Sequence, residues 1–217
     1  MSNVVTDEQA WLAATGIARA RGVFITATDT GAGKTWVSRR LIAALRANGL
    51  DVVARKPVES GWNAADVTTT DAWQLAQAAD IDPAQVCRYH FHAPLSPPRA
   101  AAQEGVTLSI ATLAQACWAG VTDQQYVLVE GAGGFYSPLA ADGLNADLAV
   151  ALGLPVLLVT EDRVGCLNPV LLSLEAAQRR GLQIAGIVLN RRNPPPAGMD
   201  NAADLRAFTS VPLWQTA

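Results

Sequence analysis

Short apolar runs and longer amphipathic stretches alternate along the chain. Five runs are apolar and rich in β-branched residues, which is typical of strands buried on both faces of a sheet. They span residues 22–28, 51–56, 126–130, 155–160 and 184–190. Stretches with helical periodicity lie between them, near residues 71–79, 108–119, 146–152 and 168–180. This alternation predicts an α/β fold with a mostly parallel sheet and helices on both of its faces.

A further helix is predicted shortly after the first of these strands. Val37, Leu41 and Leu45 recur at helical spacing, and Gly49 stands where a helix commonly ends. The strand at residues 22–28 and this helix are therefore joined by a short turn that contains glycine.

The two ends of the chain carry weaker patterns. Residues 1–21 predict an extra N-terminal helix whose apolar side includes Trp11, Leu12 and Ile17. Near the other end, the prolines at 194–196 interrupt the pattern and predict a surface loop before a last short helix. The interval after this loop is too short for another domain, so residues 1–217 are expected to form one domain.

Composition narrows the kind of partner. The chain has 217 residues, 50% of them hydrophobic, and a net charge of −3. This balance argues against a nucleic-acid surface, so small molecules are the expected partners. The first residues do not resemble a secretory signal, and no apolar stretch is long enough to cross a membrane. Three cysteines without a C-x-x-C pair are typical of reduced thiols, and a cytoplasmic location is expected.

The sequence TATDTGAGKTW at residues 26–36 resembles a phosphate-binding loop. The strict pattern is G-x-x-x-x-G-K-[ST], and Thr28 stands in the place of its first glycine. Strand, loop and helix nevertheless follow in the order that lets backbone N–H groups and the helix dipole converge on an anion. Lys34 offers a positive charge to the β- and γ-phosphates, and Thr35 offers a hydroxyl to Mg²⁺. The alternative is a glycine-rich turn without a ligand.

Further polar residues stand near predicted element ends, at the edge where open α/β sheets bind ligands. Lys56 and Ser60 belong to KPVESG after the second strand, and Glu130 ends the strand before a GAGG turn. Asp71 stands at a helix start, where it is either a Mg²⁺ ligand or a helix cap. Together with the Thr35 hydroxyl, the two carboxylates form an oxygen-rich set suited to Mg²⁺. For Lys56 the alternative is a solvated loop lysine.

Five motifs, taken in order, resemble the dethiobiotin synthetase family: TDTGAGKT, KPVESG, VEGAGGFYSPL, VGCLNP and VLNR. They fall within about residues 22–190, and a linked set of motifs is more specific than any one of them. The loop of this family resembles T-D-T-x-x-G-K-T, which implies that Thr28 is compatible with nucleotide binding. The resemblance also implies a P-loop NTPase-type fold and a homodimer.

The reaction that the resemblance implies is an ATP-dependent ring closure. The diamine 7,8-diaminopelargonic acid takes up CO₂ as a carbamate, and ATP phosphorylates the carbamate. The second amine then closes the ureido ring of dethiobiotin and expels phosphate. Catalysis of this kind depends mainly on positioning and electrostatics. Mg²⁺ is the implied cofactor.

The resemblance further implies roles for individual residues. The implied catalytic residues, which hold the phosphates and the carbamate, are Lys34 and Lys56. The implied Mg²⁺ ligands are Thr35, Asp71 and Glu130. The implied nucleotide-binding residues are Thr30, Gly31, Ala32, Gly33, Lys34, Thr35, Glu130, Gly133 and Asn190. The implied substrate-binding residues are Thr30, Lys56, Ser60, Gly165, Cys166, Leu167 and Asn168. The last four form a turn at a helix N-terminus that, in the family, binds the substrate carboxylate across the subunit boundary.

Three features depart from the family pattern. Gly31 stands where some relatives carry an acidic residue, and Pro98 stands where relatives often read the histidine of S-P-H. Asn190 matches a residue that reads the nucleotide base, but the sequence ends at VPLWQTA where relatives usually continue through a loop that helps to enclose the base. ATP is the expected nucleotide, with another triphosphate as the alternative.

Two other functions share features with this sequence. A positioning or partitioning ATPase of the ParA or MinD kind resembles it in fold. Such a protein typically carries an additional lysine in a K-G-G-x-G-K-T loop, where this chain has Thr28 and Asp29. An amidoligase of the cobyrinate type shares the loop but normally has a long glutamine-hydrolysing domain, for which 217 residues leave no room.

Some conspicuous residues carry no predicted chemistry. His90 and His92 are expected to be structural, because no third metal ligand accompanies them. The six tryptophans are expected to serve packing, with Trp62 as the exception because it follows the KPVESG loop.

Overall fold

The computed structural model describes residues 4–5 and 7–216. Its strands are β1 (Val4–Val5), β2 (Gly22–Ala27), β3 (Asp51–Arg55), β4 (Val58–Ser60), β5 (Tyr89–Phe91), β6 (Gln125–Glu130), β7 (Pro138–Ala140), β8 (Gly143–Leu144), β9 (Val156–Glu161), β10 (Ile184–Asn190) and β11 (Leu213–Gln215). Its helices are α1 (Glu8–Thr15), α2 (Lys34–Ala47), α3 (Asp71–Ala79), α4 (Pro83–Val86), α5 (Pro97–Gln103), α6 (Ile110–Trp118), α7 (Asn145–Leu152), α8 (Leu167–Arg179) and α9 (Asn201–Arg206).

Within the described part of the chain, seven strands form one sheet in the order β1-β11-β10-β9-β2-β6-β3. Every neighbouring pair in this sheet is parallel. The predicted α/β fold with a mostly parallel sheet is therefore confirmed. Two short pairs stand apart from it, β4 with β5 and β7 with β8. In the main sheet β2 lies between β9 and β6, so the loop that follows β2 emerges from the interior of the sheet.

Both faces of the sheet are covered, which explains why its strands are apolar throughout rather than alternating. Along β2, Val23 and Ile25 pack into one hydrophobic cluster with α1, α2 and α3. Phe24, between them, packs into a second cluster on the other face with residues of α6 and α7. The five predicted strands and the four helices predicted between them agree with the structure to within two residues at each end.

The prediction of a helix over residues 1–21 is wrong at Val4–Val5, which form β1, and the helix itself covers only Glu8–Thr15. The helix α1 buries Trp11 and Leu12 and ends at Gly16, whose φ of 66° is the left-handed conformation that commonly closes a helix. Ile17 is also buried, but it belongs to a separate 3₁₀ turn. Residues 1–3 and 6 of the predicted helix lie outside the described residues.

The chain-breaking prolines lie in a loop between β10 and α9, in agreement with the predicted loop and last short helix. Among the described residues, no helix is both long enough and apolar enough to cross a lipid bilayer.

Candidate functional site

A groove of about 1240 Å³ lies at the carboxyl ends of the central strands, where open α/β sheets bind their ligands. Its walls come from the loop after β2, the segment after β3, the turn after β6 and the end of β10. The predicted site residues that line it are Thr30, Gly31, Gly33, Lys34, Thr35, Lys56, Ser60, Asp71, Gly133 and Asn190. Glu130 lies beneath this surface with no exposed area. The topology thus brings distant parts of the sequence to one edge of the sheet.

The loop after β2 has the backbone that an anion-binding turn requires, and Thr28 does not disturb it. Gly31 and Gly33 have φ values of 78° and 94°, in the left-handed region that favours glycine. Thr28 has no positive φ. Its hydroxyl lies 2.9 Å from the hydroxyl of Thr160, and its N–H donates to Val159 O at the same distance. Thr28, in the place of the missing glycine, therefore extends the carboxyl end of β2, where the backbone accepts a residue with a side chain.

Asn190 packs directly against this loop from the end of β10. Its amide Nδ2 donates to the carbonyl of Ala32 at 2.9 Å, and its side chain is buried. A Cβ atom at Gly33 would overlap the same amide nitrogen. Gly33 is therefore needed for two reasons, its positive φ and the close approach of Asn190.

Lys34 begins α2 and extends toward the turn after β6. Its Nζ donates to Gly133 O at 2.9 Å. Burial, followed by repulsion from Lys56, lowers the pKa of Lys34 to about 8. An anion bound between the loop and this turn would favour the charged form of the lysine, because opposite charges at short range offset the cost of desolvation.

Lys56 is the centre of a buried ion-pair cluster. Its Nζ lies 2.7 Å from Asp71 Oδ2 and 2.7 Å from Glu130 Oε1, and it donates to Gly131 O at 3.2 Å. Burial alone would lower the pKa of Lys56, but attraction and hydrogen bonds to the two carboxylates raise it. Lys56 is only 2% exposed, so the alternative of a solvated loop lysine is wrong.

Two hydroxyl groups of α2 complete the contacts of the carboxylates. Thr35 Oγ1 lies 2.7 Å from Asp71 Oδ1 and 2.9 Å from Glu130 Oε1. Ser38 donates to Glu130 Oε2 at 2.7 Å and is fully buried. The sequence analysis did not single out Ser38, although it follows Thr35 by three residues and therefore shares its helix face.

Asp71 is not the cap of α3. The cap is Thr70, whose side chain accepts a hydrogen bond from the N–H of Trp73. The N–H groups of Asp71 and Ala72 donate to the carboxylate of Glu59, at 2.8 and 3.0 Å. The carboxylate of Asp71 is thereby left to face Lys56 and Thr35, and the helix-cap alternative is wrong. Burial would raise the pKa of Asp71, but the Lys56 ammonium holds it below its usual value.

Glu59 is a second residue that the sequence analysis missed, and burial raises its pKa. The signal lay in the KPVESG motif itself, where the glutamate stands beside Ser60. Only the fold shows that this strand end meets the start of α3.

The oxygens of Thr35, Asp71 and Glu130 converge in a way that fits a small hard cation. No group of three or more His, Cys, Asp or Glu side chains within residues 7–216 is arranged to hold a metal ion by itself. Two carboxylates and a hydroxyl leave further coordination positions for ligand oxygens. This is the usual way in which Mg²⁺ is bound together with a nucleotide.

The turn of Gly165, Cys166, Leu167 and Asn168 does not line the groove of its own chain. It lies at the start of α8, with Cys166 buried and Asn168 exposed. The φ of Gly165 is 86°, which favours glycine there.

Two arginines and a tryptophan are among the groove residues that were not predicted as site residues. Arg191 and Arg192 follow β10 and bring positive charge to the groove. Arg191 pairs with the buried Asp162 at 3.0 Å, and Arg192 Nη1 donates to Gly31 O at 2.8 Å. Trp36, which follows Thr35, also lines the groove rather than serving packing alone.

Known proteins resemble this chain over most of its length. A family model described as an AAA domain matches residues 21–214. An ATP-dependent dethiobiotin synthetase from Anaeromyxobacter dehalogenans strain 2CP-1 is 46% identical over 193 residues, which cover 87% of this chain and 86% of that protein. The ATP-dependent dethiobiotin synthetase from Ralstonia nicotianae is 41% identical over 194 residues, which cover 87% of this chain and 85% of that protein.

One solved structure shows a more distant likeness to this chain. The septum site-determining protein MinD from Pyrococcus horikoshii, complexed with Mg-ADP, gives a TM-score of 0.48 at 20% identity. The match covers 89% of this chain and 79% of that one. A similarity of this size carries no argument about function.

Proposed function

The chain belongs to the ATP-dependent dethiobiotin synthetase family and is a ligase of that kind, and we propose that the groove after β2 is its active site. The proposal rests above all on the convergence of Lys34, Lys56 and the two carboxylates around the loop. Catalysis in this site joins CO₂ to 7,8-diaminopelargonic acid and closes the ring of dethiobiotin at the expense of ATP.

The loop holds the triphosphate. Its backbone N–H groups and the N-terminus of α2 attract the anion, and the positive φ values of Gly31 and Gly33 let the backbone approach the phosphates. Lys34 is placed to neutralise charge on the β- and γ-phosphates. Thr30, Ala32, Gly133 and Asn190 complete the nucleotide site.

Lys56 acts on the group that is phosphorylated. Lys56 lines the groove together with Ser60, and its ammonium would hold a carbamate oxygen there and offset its negative charge. The same positive charge counterbalances the charge that accumulates as the phosphoryl group moves to the carbamate. The second amine then attacks the mixed anhydride, and phosphate leaves with the bond electrons. Thr30 and Ser60 position the diamine.

We further propose that Thr35, Asp71 and Glu130 hold Mg²⁺. When bound, Mg²⁺ neutralises charge on the transferred phosphoryl group. Ser38 keeps the Glu130 carboxylate in place through its hydrogen bond to Oε2. When no metal ion is bound, Lys56 alone offsets the negative charges of Asp71 and Glu130.

The substrate carboxylate is bound, in this proposal, by the turn of Gly165, Cys166, Leu167 and Asn168 from a second copy of the chain. The observation that favours a second copy is that the turn does not line the groove of its own chain. Mixing two inactive variants tests this arrangement. Lys34→Ala disables the loop, and Asn168→Glu places a negative charge on the turn. In a mixed dimer, one site combines an unaltered loop with an unaltered turn, so mixing should restore activity. Activity that stays absent after verified subunit exchange would contradict the shared site.

A reducing compartment such as the cytoplasm is the proposed location. Cys87, Cys117 and Cys166 are all buried and free. Burial raises the pKa of Cys87 and of Cys117 to about 12, so these thiols are unreactive packing groups.

A nucleotide-switched ATPase of the MinD kind is the less favoured function. The additional loop lysine of such proteins is absent from this chain, because Thr28 and Asp29 occupy that part of the loop. Such a protein would also release phosphate from ATP without any need for a diamine.

Phosphate release from Mg-ATP and bicarbonate, with and without 7,8-diaminopelargonic acid, tests the proposed function. The ligase should release phosphate only when the diamine is present, with one dethiobiotin formed for each phosphate. Repeating the assay with CTP and GTP measures the preference for the base. Phosphate release that does not depend on the diamine would refute the assignment.

A further inference from the structure

An aromatic ring is exposed beside the proposed phosphate site. Trp36 is the third residue of α2 and directly follows Lys34 and Thr35. It lines the groove and is 40% exposed, whereas Trp11 and Trp214 behind it are buried. An exposed indole in a ligand groove is unusual for a residue whose role is packing alone.

The ring of Trp36 is held in place before any ligand arrives. Its centroid lies 6.4 Å from that of Trp214, and the two ring planes differ by 22°. The Arg40 guanidinium lies 4.9 Å from the Trp36 centroid and 5.3 Å from that of Trp214. Arg40 is fixed in turn by an ion pair with Glu8 at 2.7 Å. A ring that is already immobilised loses little entropy when a ligand stacks on it.

The surroundings of Trp36 fit the base end of a nucleotide. Asn190 and the two arginines that follow it line the same groove. The end of β10 is tied to the last strand, because Arg191 N–H donates to Thr216 Oγ1 at 2.8 Å. Trp214, against which Trp36 stacks, lies in β11 two residues before Thr216, so the last strand contacts both the Trp36 ring and the end of β10.

From this arrangement we infer that the indole of Trp36 is the stacking surface for the base of the bound nucleotide. The inference rests on the proposed function, since it requires the triphosphate to lie on the loop. Stacking on an aromatic side chain is available to every base, because each base has a π face. Trp36 therefore contributes affinity for nucleosides in general, and selection among bases is left to polar groups such as Asn190.

Isothermal titration of the protein with Mg-ATP and with Mg-bound inorganic triphosphate tests the inference. Trp36→Leu keeps an apolar side chain but removes the aromatic surface, and Trp36→Phe retains a smaller one. We expect Trp36→Leu to weaken ATP binding by about tenfold, within the range found when stacked aromatics are replaced. Inorganic triphosphate, which has no base, should bind the wild type and both variants equally. Trp36→Phe should retain most of the affinity for ATP.

Two results would overturn the inference. Equal weakening of ATP and inorganic triphosphate in Trp36→Leu would show that Trp36 only shapes the loop. Unchanged ATP affinity in that variant would show that no base stacks there. The proposed ligase function is tested separately: it would fail if the wild type released phosphate without the diamine. A base-dependent loss in Trp36→Leu would still stand in that case.

Discussion

The ammonium group of Lys56 lies 2.7 Å from the carboxylate of Glu130, and both side chains are almost fully buried. A buried ion pair of this kind stabilises little by itself, but the loss of one partner leaves an uncompensated buried charge. Each residue of the pair therefore has a structural role as well as its proposed catalytic role. A loss of activity after a single substitution would not separate the two.

Lys56→Met should lower both turnover and stability. The variant keeps the apolar stem but leaves the buried Glu130 without its cation, and breaking such a pair costs about 3–5 kcal/mol. The transition state also loses a positive charge, which should reduce kcat by at least about 100-fold. Urea unfolding measures the first effect and diamine-dependent phosphate release measures the second.

The double variant Lys56→Met with Glu130→Gln is the matched control. It removes both charges, so most of the lost stability should return while turnover stays low. Near-normal turnover of the single variant would remove Lys56 from the active site. A double variant as unstable as the single one would mean that the charge imbalance is not the cause.

Asp71→Asn and Thr70→Ala should affect different properties of the protein, although the two residues are neighbours. Thr70 is the cap of α3, and removal of a cap costs about 1 kcal/mol of stability. Asp71→Asn should instead raise the Mg²⁺ concentration for half-maximal activity, because it removes a carboxylate from the proposed metal site. A magnesium titration and a thermal unfolding curve of each variant separate the effects. An unchanged magnesium requirement in Asp71→Asn would argue against its role as a ligand.

The sequence predicted the main sheet well, because strands buried on both faces must be apolar throughout and are conspicuous as short runs. It missed β1 and β11, which are two and three residues long and gain their definition only from pairing with each other and with β10. No pattern in so short a segment distinguishes a strand from a loop.

For the site, the loop and the strand ends were predictable because chain order and sheet topology place them at one edge. The side-chain contacts between elements could not be predicted from the sequence. Ser38 in α2 donates a hydrogen bond to Glu130. Glu59 in β4 accepts hydrogen bonds from the first two N–H groups of α3. Both contacts depend on how helices pack on the sheet, which a single sequence does not show.

Gly33→Ala should impair nucleotide binding far more than Gly31→Ala, although both glycines have positive φ. At Gly31 an added Cβ atom meets nothing within 4 Å, so only backbone strain of about 1 kcal/mol is expected. At Gly33 the Cβ atom would overlap the amide of Asn190 as well. Titration with ATP should show a large loss for Gly33→Ala and a small one for Gly31→Ala. Adding Asn190→Ala to Gly33→Ala should relieve the overlap and recover part of the stability, and no recovery would contradict the steric explanation.

Thr28→Gly restores the strict phosphate-loop pattern, yet it should not improve nucleotide binding. The backbone at this position does not need glycine, because Thr28 has no positive φ. The substitution removes the hydrogen bond between the Thr28 and Thr160 hydroxyls and adds the entropic cost of glycine, so the free energy of unfolding should fall by about 1–2 kcal/mol. Thr160→Val is the control, since it removes the same hydrogen bond without changing the loop backbone. ATP titration and urea unfolding of both variants test this prediction. Tighter ATP binding by Thr28→Gly would show that the threonine weakens nucleotide binding by the loop. Unchanged affinity with lower stability in both variants would show that Thr28 stabilises the carboxyl end of β2.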